Sequence, residues 1–91
     1  MNNDAFEWDE TKAAKNYAKH GVTFEAAQDV FKDPFAIEHI DDRKHYSEER
    51  FIIIGMASGR LLTVVFTMRD EGIRIISARG AEPYEQRQYH E

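Results

Sequence analysis

The sequence predicts an α+β protein, in which a mostly antiparallel sheet of about four to five strands packs against two N-terminal helices and one C-terminal helix. The first observation is a set of three apolar, β-branched segments over 51–57, 61–68 and 73–79. Short loops that contain Gly59 and Gly72 join these segments, which is typical of antiparallel hairpins. The second observation is that two helical patterns with capping residues precede these strands and one follows them. The predicted order is therefore β-α-α-β-β-β-β-α.

The N-terminal part is predicted to form a short edge strand over 5–8 and a helix over 10–20. Asp9 is a suitable N-cap, because its carboxylate can accept hydrogen bonds from the unpaired amides of the first turn. Gly21 favours the left-handed conformation that ends a helix. The predicted apolar face of this helix consists of Ala13, Ala14, Tyr17 and Ala18. The opposite side carries Lys12, Lys15 and Lys19.

Thr23 is the expected N-cap of a second helix, whose apolar residues have helical spacing at Phe24, Ala27, Val30 and Phe31. Pro34 ends this helix, because the residue before a proline is pushed out of the helical region. Alternation of apolar and polar residues over 35–40 predicts a strand, and the polar residues 41–49 predict a loop. Residues 82–90 are predicted to form a closing helix. Apolar residues at both parities of the three long strands indicate a sheet covered on both faces, with the helices on one side.

Composition restricts the class of protein. The 91 residues, of which 42% are hydrophobic and 32% charged, fit one globular domain over 1–91. The sequence has no cysteine, which excludes disulfides and thiolate metal sites. The first residues lack the order of a signal peptide, and the longest apolar run is too short to span a bilayer, so we expect a cytoplasmic protein without membrane contact. The net charge of −5 argues against nucleic-acid binding through the overall field but permits a local basic site.

Several segments resemble the BrnT family of toxins, in the same order along nearly the whole chain. The segments are Phe6 to Glu10 with Lys12 and Asn16; Lys19 to Val22; Phe24, Ala26, Ala27, Val30, Phe31, Asp33 and Pro34; Glu49 to Phe51; Ile54 and Gly55; Val64 to Thr67; and Arg74 to Arg79. The resemblance implies a RelE-like toxin fold and RNA cleavage that inhibits translation. It also implies a BrnA-like antitoxin with a ribbon-helix-helix domain, through which DNA is contacted only indirectly.

Metal-independent RNA cleavage uses the 2′-hydroxyl of the substrate as nucleophile, so the protein must supply an acid–base pair and cations that stabilise the phosphorane. No metal or other cofactor is expected. Arg79 is the first candidate for phosphate stabilisation, because a guanidinium at a strand end can be held rigidly and donate two hydrogen bonds. The alternative is that Arg79 forms a structural salt bridge with Glu82 or Glu85.

Two further groups of candidates lie at the ends of the apolar strands. Glu49 is a candidate base and Arg50 a second phosphate contact, although both residues can equally be solvated loop residues. Ser77 faces the same side of its strand as Arg79 by alternation, so it either bonds a phosphate oxygen or is satisfied within the sheet. Arg74 is a candidate substrate contact that can equally flank a turn.

The remaining candidates lie in helices. His20 is a candidate catalytic residue and Lys19 a substrate contact, although stabilisation by the helix dipole also explains two cations at a helix C-terminus. Tyr84 can donate a proton or stack on a base, or it belongs to the helix core or the antitoxin contact. The other histidines show no spacing that suggests a metal site, namely His39, His45 and His90.

Two alternatives to a ribonuclease stay open at this point. One is a non-catalytic binding module that acts mainly as co-repressor with its antitoxin, which the acidic residues of the final helix favour. The other is a free-standing structural domain, which leaves the recurring strand-end arginines unexplained. For the toxin, the resemblance implies neutralisation by occlusion, with a flexible antitoxin segment lying across the sheet over Arg79.

Overall fold

The computed structural model describes residues 5–42 and 48–91. In this part of the chain five strands form one sheet in the order β1-β5-β4-β3-β2. The strands are β1 Phe6–Glu7, β2 Ile37–Asp41, β3 Arg50–Ala57, β4 Arg60–Arg69 and β5 Gly72–Gly80. The three long strands confirm the predicted ones to within one residue at each end. The fold is α+β as predicted, but the sheet is mixed, because β1 pairs parallel with β5 while the other pairs are antiparallel.

The first helix, α1, spans Glu10–His20 and confirms the predicted bounds and caps. The carboxylate of Asp9 accepts hydrogen bonds from the amides of Thr11 and Lys12 at 2.8 and 3.1 Å. These hydrogen bonds hold the pKa of Asp9 below its ordinary value, and the hydrogen bond from the Lys12 amide has the largest effect. Gly21 has φ 69°, the left-handed conformation that ends the helix.

The second predicted helix is shorter than its apolar spacing indicates. Helix α2 spans Phe24–Ala27, with the hydroxyl of Thr23 as its N-cap, and a tighter 3-10 helix follows over Gln28–Lys32. This turn places the fully buried Val30 directly on β3 at Gly55. A Cβ at Gly55 would lie 2.9 Å from Cγ1 of Val30, so only glycine permits this close approach.

The prediction that the helices lie on one side of the sheet is wrong. One face carries the main core, in which α2 and the 3-10 helix cover the strands; its buried residues include Phe24, Val30, Ile53, Leu62, Val64, Phe66 and Ala78. The last helix, α3, spans Pro83–His90 and lies on the opposite face, where Glu85 bonds Thr63. Thr63 and Val64 are neighbours in β4 and point to opposite faces, which places the two helical layers on either side.

The predicted apolar face of α1 is wrong for three of its four residues, since only Ala13 is half-buried and packs against the core. Tyr17 is 56% exposed, Ala14 and Ala18 are exposed, and the buried residue of the helix is the polar Asn16. Weakly hydrophobic alanines give a poor signal for the buried side, and a specific polar contact with β5 decides the orientation of this helix instead.

Smaller differences concern the segments around β2 and α3. Strand β2 begins two residues later than predicted and includes Asp41, and Phe35 before it is 77% exposed. Glu82, predicted as the first residue of the closing helix, is the N-cap of α3. Much of the predicted loop, with His45, lies outside the described residues. Within the described ranges no helix is long and apolar enough to cross a membrane.

Candidate functional site

Asn16 fixes α1 against the edge of β5. Its side-chain amide donates to the carbonyl of Ala78 at 2.9 Å and accepts from the amide of Ala78 at 3.1 Å. The same amide group also donates to the carbonyl of Val22 at 3.1 Å. The Asn16 side chain therefore continues the hydrogen bonding of the sheet edge beyond β1, which pairs only with Ile73 and Arg74. This contact sets the position of every other side chain on the same flank of α1.

A groove with a volume of about 260 Å³ runs between this flank of α1 and β5. We call it the lysine groove; it is lined by Lys12, Lys15, Asn16, Lys19, His20, Ile76 and Ser77. Spacings of three and four residues place the three lysines on one side of the helix. All three lysines are exposed, whereas His20 and Ser77 are half-buried.

The lysines of the groove differ from most other lysines and arginines of the described residues in forming no ion pair with a carboxylate. Among residues 5–42 and 48–91, the ion pairs involve Lys32, Arg50, Arg69, Arg74 and Arg79 instead. Lys12 interacts electrostatically with Asp9 and helps to lower the pKa of that carboxyl, without forming an ion pair with it. Three positive charges without an ion pair among the described residues thus lie together on a chain with a net charge of −5. The local potential at the groove is therefore opposite in sign to that of the protein as a whole.

Arg79 lies on the sheet face that carries α3, and a buried carboxylate holds its guanidinium. Its two terminal nitrogens donate to the two oxygens of Glu85 at 2.8 and 2.9 Å. Glu85 is only 3% exposed and also accepts hydrogen bonds from the Thr63 hydroxyl and the Glu82 amide. The structural alternative that the sequence left open for Arg79, a salt bridge to Glu85, is present.

The pKa values of this pair reflect the same contacts. Burial by itself raises the pKa of Glu85, but the hydrogen bonds from Arg79, the Glu82 amide and Thr63 outweigh burial and bring this pKa to about 2. The hydrogen bond with Glu85 also raises the pKa of Arg79 above its ordinary value. Because the pair is charged and internally neutralised, the guanidinium attracts a phosphate less than an unpaired arginine does.

Arg74, Glu49 and Arg50 lie toward the other end of the sheet. Arg74 donates to Glu7 at 3.1 Å, its partner in the parallel register of β1 and β5. The exposed Glu49 precedes β3, and its backbone carbonyl accepts a hydrogen bond from Thr67. The Thr67 and Thr63 positions are four residues apart along β4, or about 13 Å. Thr67 pairs with Arg74 and Thr63 with Arg79, so these arginines do not share one cluster.

Tyr84 is 50% exposed and lines a different depression, between α3 and β2. The lining there includes Asp41, Asp42 and Glu85 and no lysine or arginine, and we call this surface the acidic depression. The ring of His90 contacts Tyr89 in α3, whereas His39 lies in β2. No group of three metal-ligating side chains occurs within the described ranges.

The structure therefore brings together three of the candidates that the sequence predicted: Lys19, His20 and Ser77. Arg79 is two residues from Ser77 on β5 but engaged by Glu85, and the other candidates lie elsewhere. Sequence reasoning did not assign Lys12, Lys15 or Asn16 to the site. The three-and-four spacing of the lysines was a usable signal, whereas the contact of Asn16 with a residue 62 positions away was not.

An α+β fold with a row of exposed lysines beside a histidine and a serine is suited to contact with a polyanion. The sequence matches a family model described as the ribonuclease toxin BrnT of a type II toxin–antitoxin system, over residues 8–85. The chain belongs to this family of ribonuclease toxins, and membership implies an antitoxin partner. A comparison with curated proteins finds no match.

Proposed function

We propose that the chain is a RelE-like, metal-independent endoribonuclease, a single domain over 1–91 that inhibits translation in the cytoplasm by cutting RNA in the lysine groove. The observation that carries this proposal is the convergence of Lys12, Lys15 and Lys19 with His20 and Ser77. Family membership supports ribonuclease activity, and the positive groove on an acidic chain is where a phosphate backbone is attracted.

In this proposal His20 accepts the proton of the substrate 2′-hydroxyl, whose oxygen attacks the adjacent phosphorus. The bond from phosphorus to the 5′-oxygen breaks, and a protonated lysine of the groove gives its proton to that leaving oxygen. The other lysines and the Ser77 hydroxyl stabilise the extra negative charge of the phosphorane. Arg79 positions β5 and α3, because its guanidinium is engaged by Glu85. Arg74, Arg50, Glu49 and Tyr84 lie outside the groove and take no part in the cleavage step of this proposal.

The test is cleavage of a defined RNA by purified protein in the presence of EDTA, with His20→Gln and a Lys15→Ala/Lys19→Ala variant. We expect His20→Gln to lower kcat by about 100-fold or more. The double lysine variant should lower kcat/KM by roughly tenfold or more. Lys32→Ala is the matched control, since Lys32 is an exposed lysine outside the groove that is paired with Asp29. Unchanged cleavage by His20→Gln would remove the catalytic role, and cleavage that EDTA abolishes would contradict metal independence.

We further propose that the antitoxin is a BrnA-like ribbon-helix-helix protein that neutralises the toxin by covering the groove and the neighbouring face around Arg79. DNA is then contacted only through the antitoxin. Footprinting by hydrogen exchange on the complex tests this proposal: protection of α1 and β5 is expected. Protection confined to the acidic depression around Tyr84 would contradict occlusion.

The neutralised state of Arg79 favours a second candidate function, a non-catalytic module that serves as co-repressor. This candidate predicts that the chain binds its antitoxin and strengthens DNA binding by the complex, yet neither cuts RNA nor arrests growth when expressed alone. Growth arrest by the wild type and not by His20→Gln, at matched protein levels, would reject this function. Arg79→Ala is a poorer test, because this change leaves the Glu85 carboxylate buried without its cation and destabilises the fold.

A further inference from the structure

The lysine groove has a geometry that restricts the kind of RNA it can hold. Lys12, Lys15 and Lys19 lie along α1, and the first and last of them are seven positions apart, which corresponds to about 10 Å along the helix axis. Each of these lysines is exposed and forms no ion pair with a carboxylate of the described residues, although Lys12 interacts electrostatically with Asp9. The positive row ends at the N-terminus of α1, where Asp9 and Glu10 bring negative charge.

The groove contains little with which a protein reads bases. Its lining has no Phe, Tyr or Trp, and besides the lysines and His20 it consists of Asn16, Ile76 and Ser77. The Asn16 amide is engaged by the backbone of Ala78 and Val22, so it has little capacity left for a base edge. The exposed Tyr17 projects from another side of α1, and Tyr84 lies on the acidic depression. The described lining therefore offers a single ring, that of His20, which the proposed function assigns to the cleavage step, and no row of aromatic rings on which successive bases could stack.

We propose that the lysine groove holds single-stranded RNA by its backbone, with one phosphate for each of Lys12, Lys15 and Lys19, and discriminates little among bases. This inference rests on the proposed function and specifies its substrate class. A single row of cations follows one strand, and the described lining offers no further lysine or arginine to the second strand of a duplex. The short row limits the electrostatic contact to three phosphates.

The test is the salt dependence of binding to 12-nucleotide 2′-O-methyl oligonucleotides, which lack the free hydroxyl needed for cleavage. For a single strand, log K falls with log salt by about 0.7 per phosphate contact, so three contacts predict a slope of about −2. Oligo-U and oligo-A should give similar affinities, and a duplex of the same length should bind more weakly. Single substitutions Lys12→Ala, Lys15→Ala and Lys19→Ala should each reduce the slope to about −1.4, whereas Lys32→Ala should leave it at about −2.

Several results would overturn this inference while leaving the ribonuclease intact. These results are a slope unchanged by the three lysine substitutions, a preference of more than about tenfold between oligo-U and oligo-A, or tighter binding of the duplex. Failure of the proposed function looks different: the wild type would neither bind any of these oligonucleotides nor cut unmodified RNA. A melting temperature equal to that of the wild type shows that a lysine variant is folded, so a lost slope reports on contacts alone.

Discussion

The charged pair formed by Arg79 and Glu85 gives a quantitative prediction about stability. Replacing Glu85 by Gln removes a carboxylate that is 3% exposed and whose pKa is about 2, against an ordinary value of 4.5. This difference corresponds to about 3 kcal/mol of folding free energy at pH 7. Because a small domain has only about 5–15 kcal/mol in total, Glu85→Gln should lower the urea midpoint markedly.

The sign of the pH dependence follows from the direction of the shift. A carboxyl whose pKa is lowered by folding contributes its full stabilisation above pH 4.5 and loses it as the pH falls toward 2. The difference in unfolding free energy between wild type and Glu85→Gln should therefore be about 3 kcal/mol at pH 7 and less than half of that at pH 3. Asp9 and Asp33 also have lowered pKa values, but their contributions are common to both proteins and cancel in the comparison.

Urea unfolding at pH 7 and pH 3 measures this difference. Glu71→Gln is the control, because Glu71 is an exposed carboxylate in the turn before β5 and should show no such dependence. A double variant, Arg79→Leu/Glu85→Leu, should cost less than the sum of the single changes, since it leaves no unpaired charge in the interior. The reasoning is refuted if Glu85→Gln is equally destabilised at both pH values, or if its effect at pH 7 matches that of Glu71→Gln.

Three further substitutions test how the fold positions the groove, each by thermal or urea unfolding. Asn16→Leu should destabilise the protein by about 2 kcal/mol or more, because the buried backbone groups of Ala78 lose their partner; a loss near zero would contradict the positioning role. Gly55→Ala should cost about 1–3 kcal/mol, as its Cβ would lie 2.9 Å from Val30, and an unchanged midpoint would show that the 3-10 helix can move away. Gly21→Ala, at φ 69° with open space around it, should cost about 1 kcal/mol, and a gain in stability would contradict the assignment of the helix end.

The long strands and the first helix could be predicted because their signals are local. Continuous β-branched segments and capping residues such as Asp9, Thr23 and Gly21 act over a few positions, and the structure places these elements as predicted. The break of the second helix was missed because it depends on a tertiary contact. Val30 can reach β3 only where Gly55 leaves room, and the two positions are 25 residues apart in sequence.

The orientation of α1 and the far side of the sheet depend on polar groups whose partners are remote. Asn16 finds its acceptor and donor at Ala78, and Glu85 of α3 finds Thr63 on β4. Hydrophobic periodicity predicts neither contact, because it assigns polar side chains such as Asn16 and Glu85 to the surface, whereas both are buried. This explains why apolar spacing assigned Tyr17 to the core, although more than half of its surface is exposed.

The same physics explains which candidate residues came together. A charged side chain is a better candidate for binding a phosphate when no ion pair in the folded protein neutralises it. The sequence alone does not show which charged side chains form ion pairs with each other. Arg79 and Arg74 occupy rigid strand positions, but Glu85 neutralises Arg79 and Glu7 neutralises Arg74. Such paired arginines contribute to the fold and have less charge available for a phosphate. The lysines of α1 lie on a solvated helix flank, where they form no ion pair with a carboxylate of the described residues. Affinity for a polyanion is therefore expected at the exposed lysines of the groove. Loss of these lysines should weaken RNA binding more than it lowers stability.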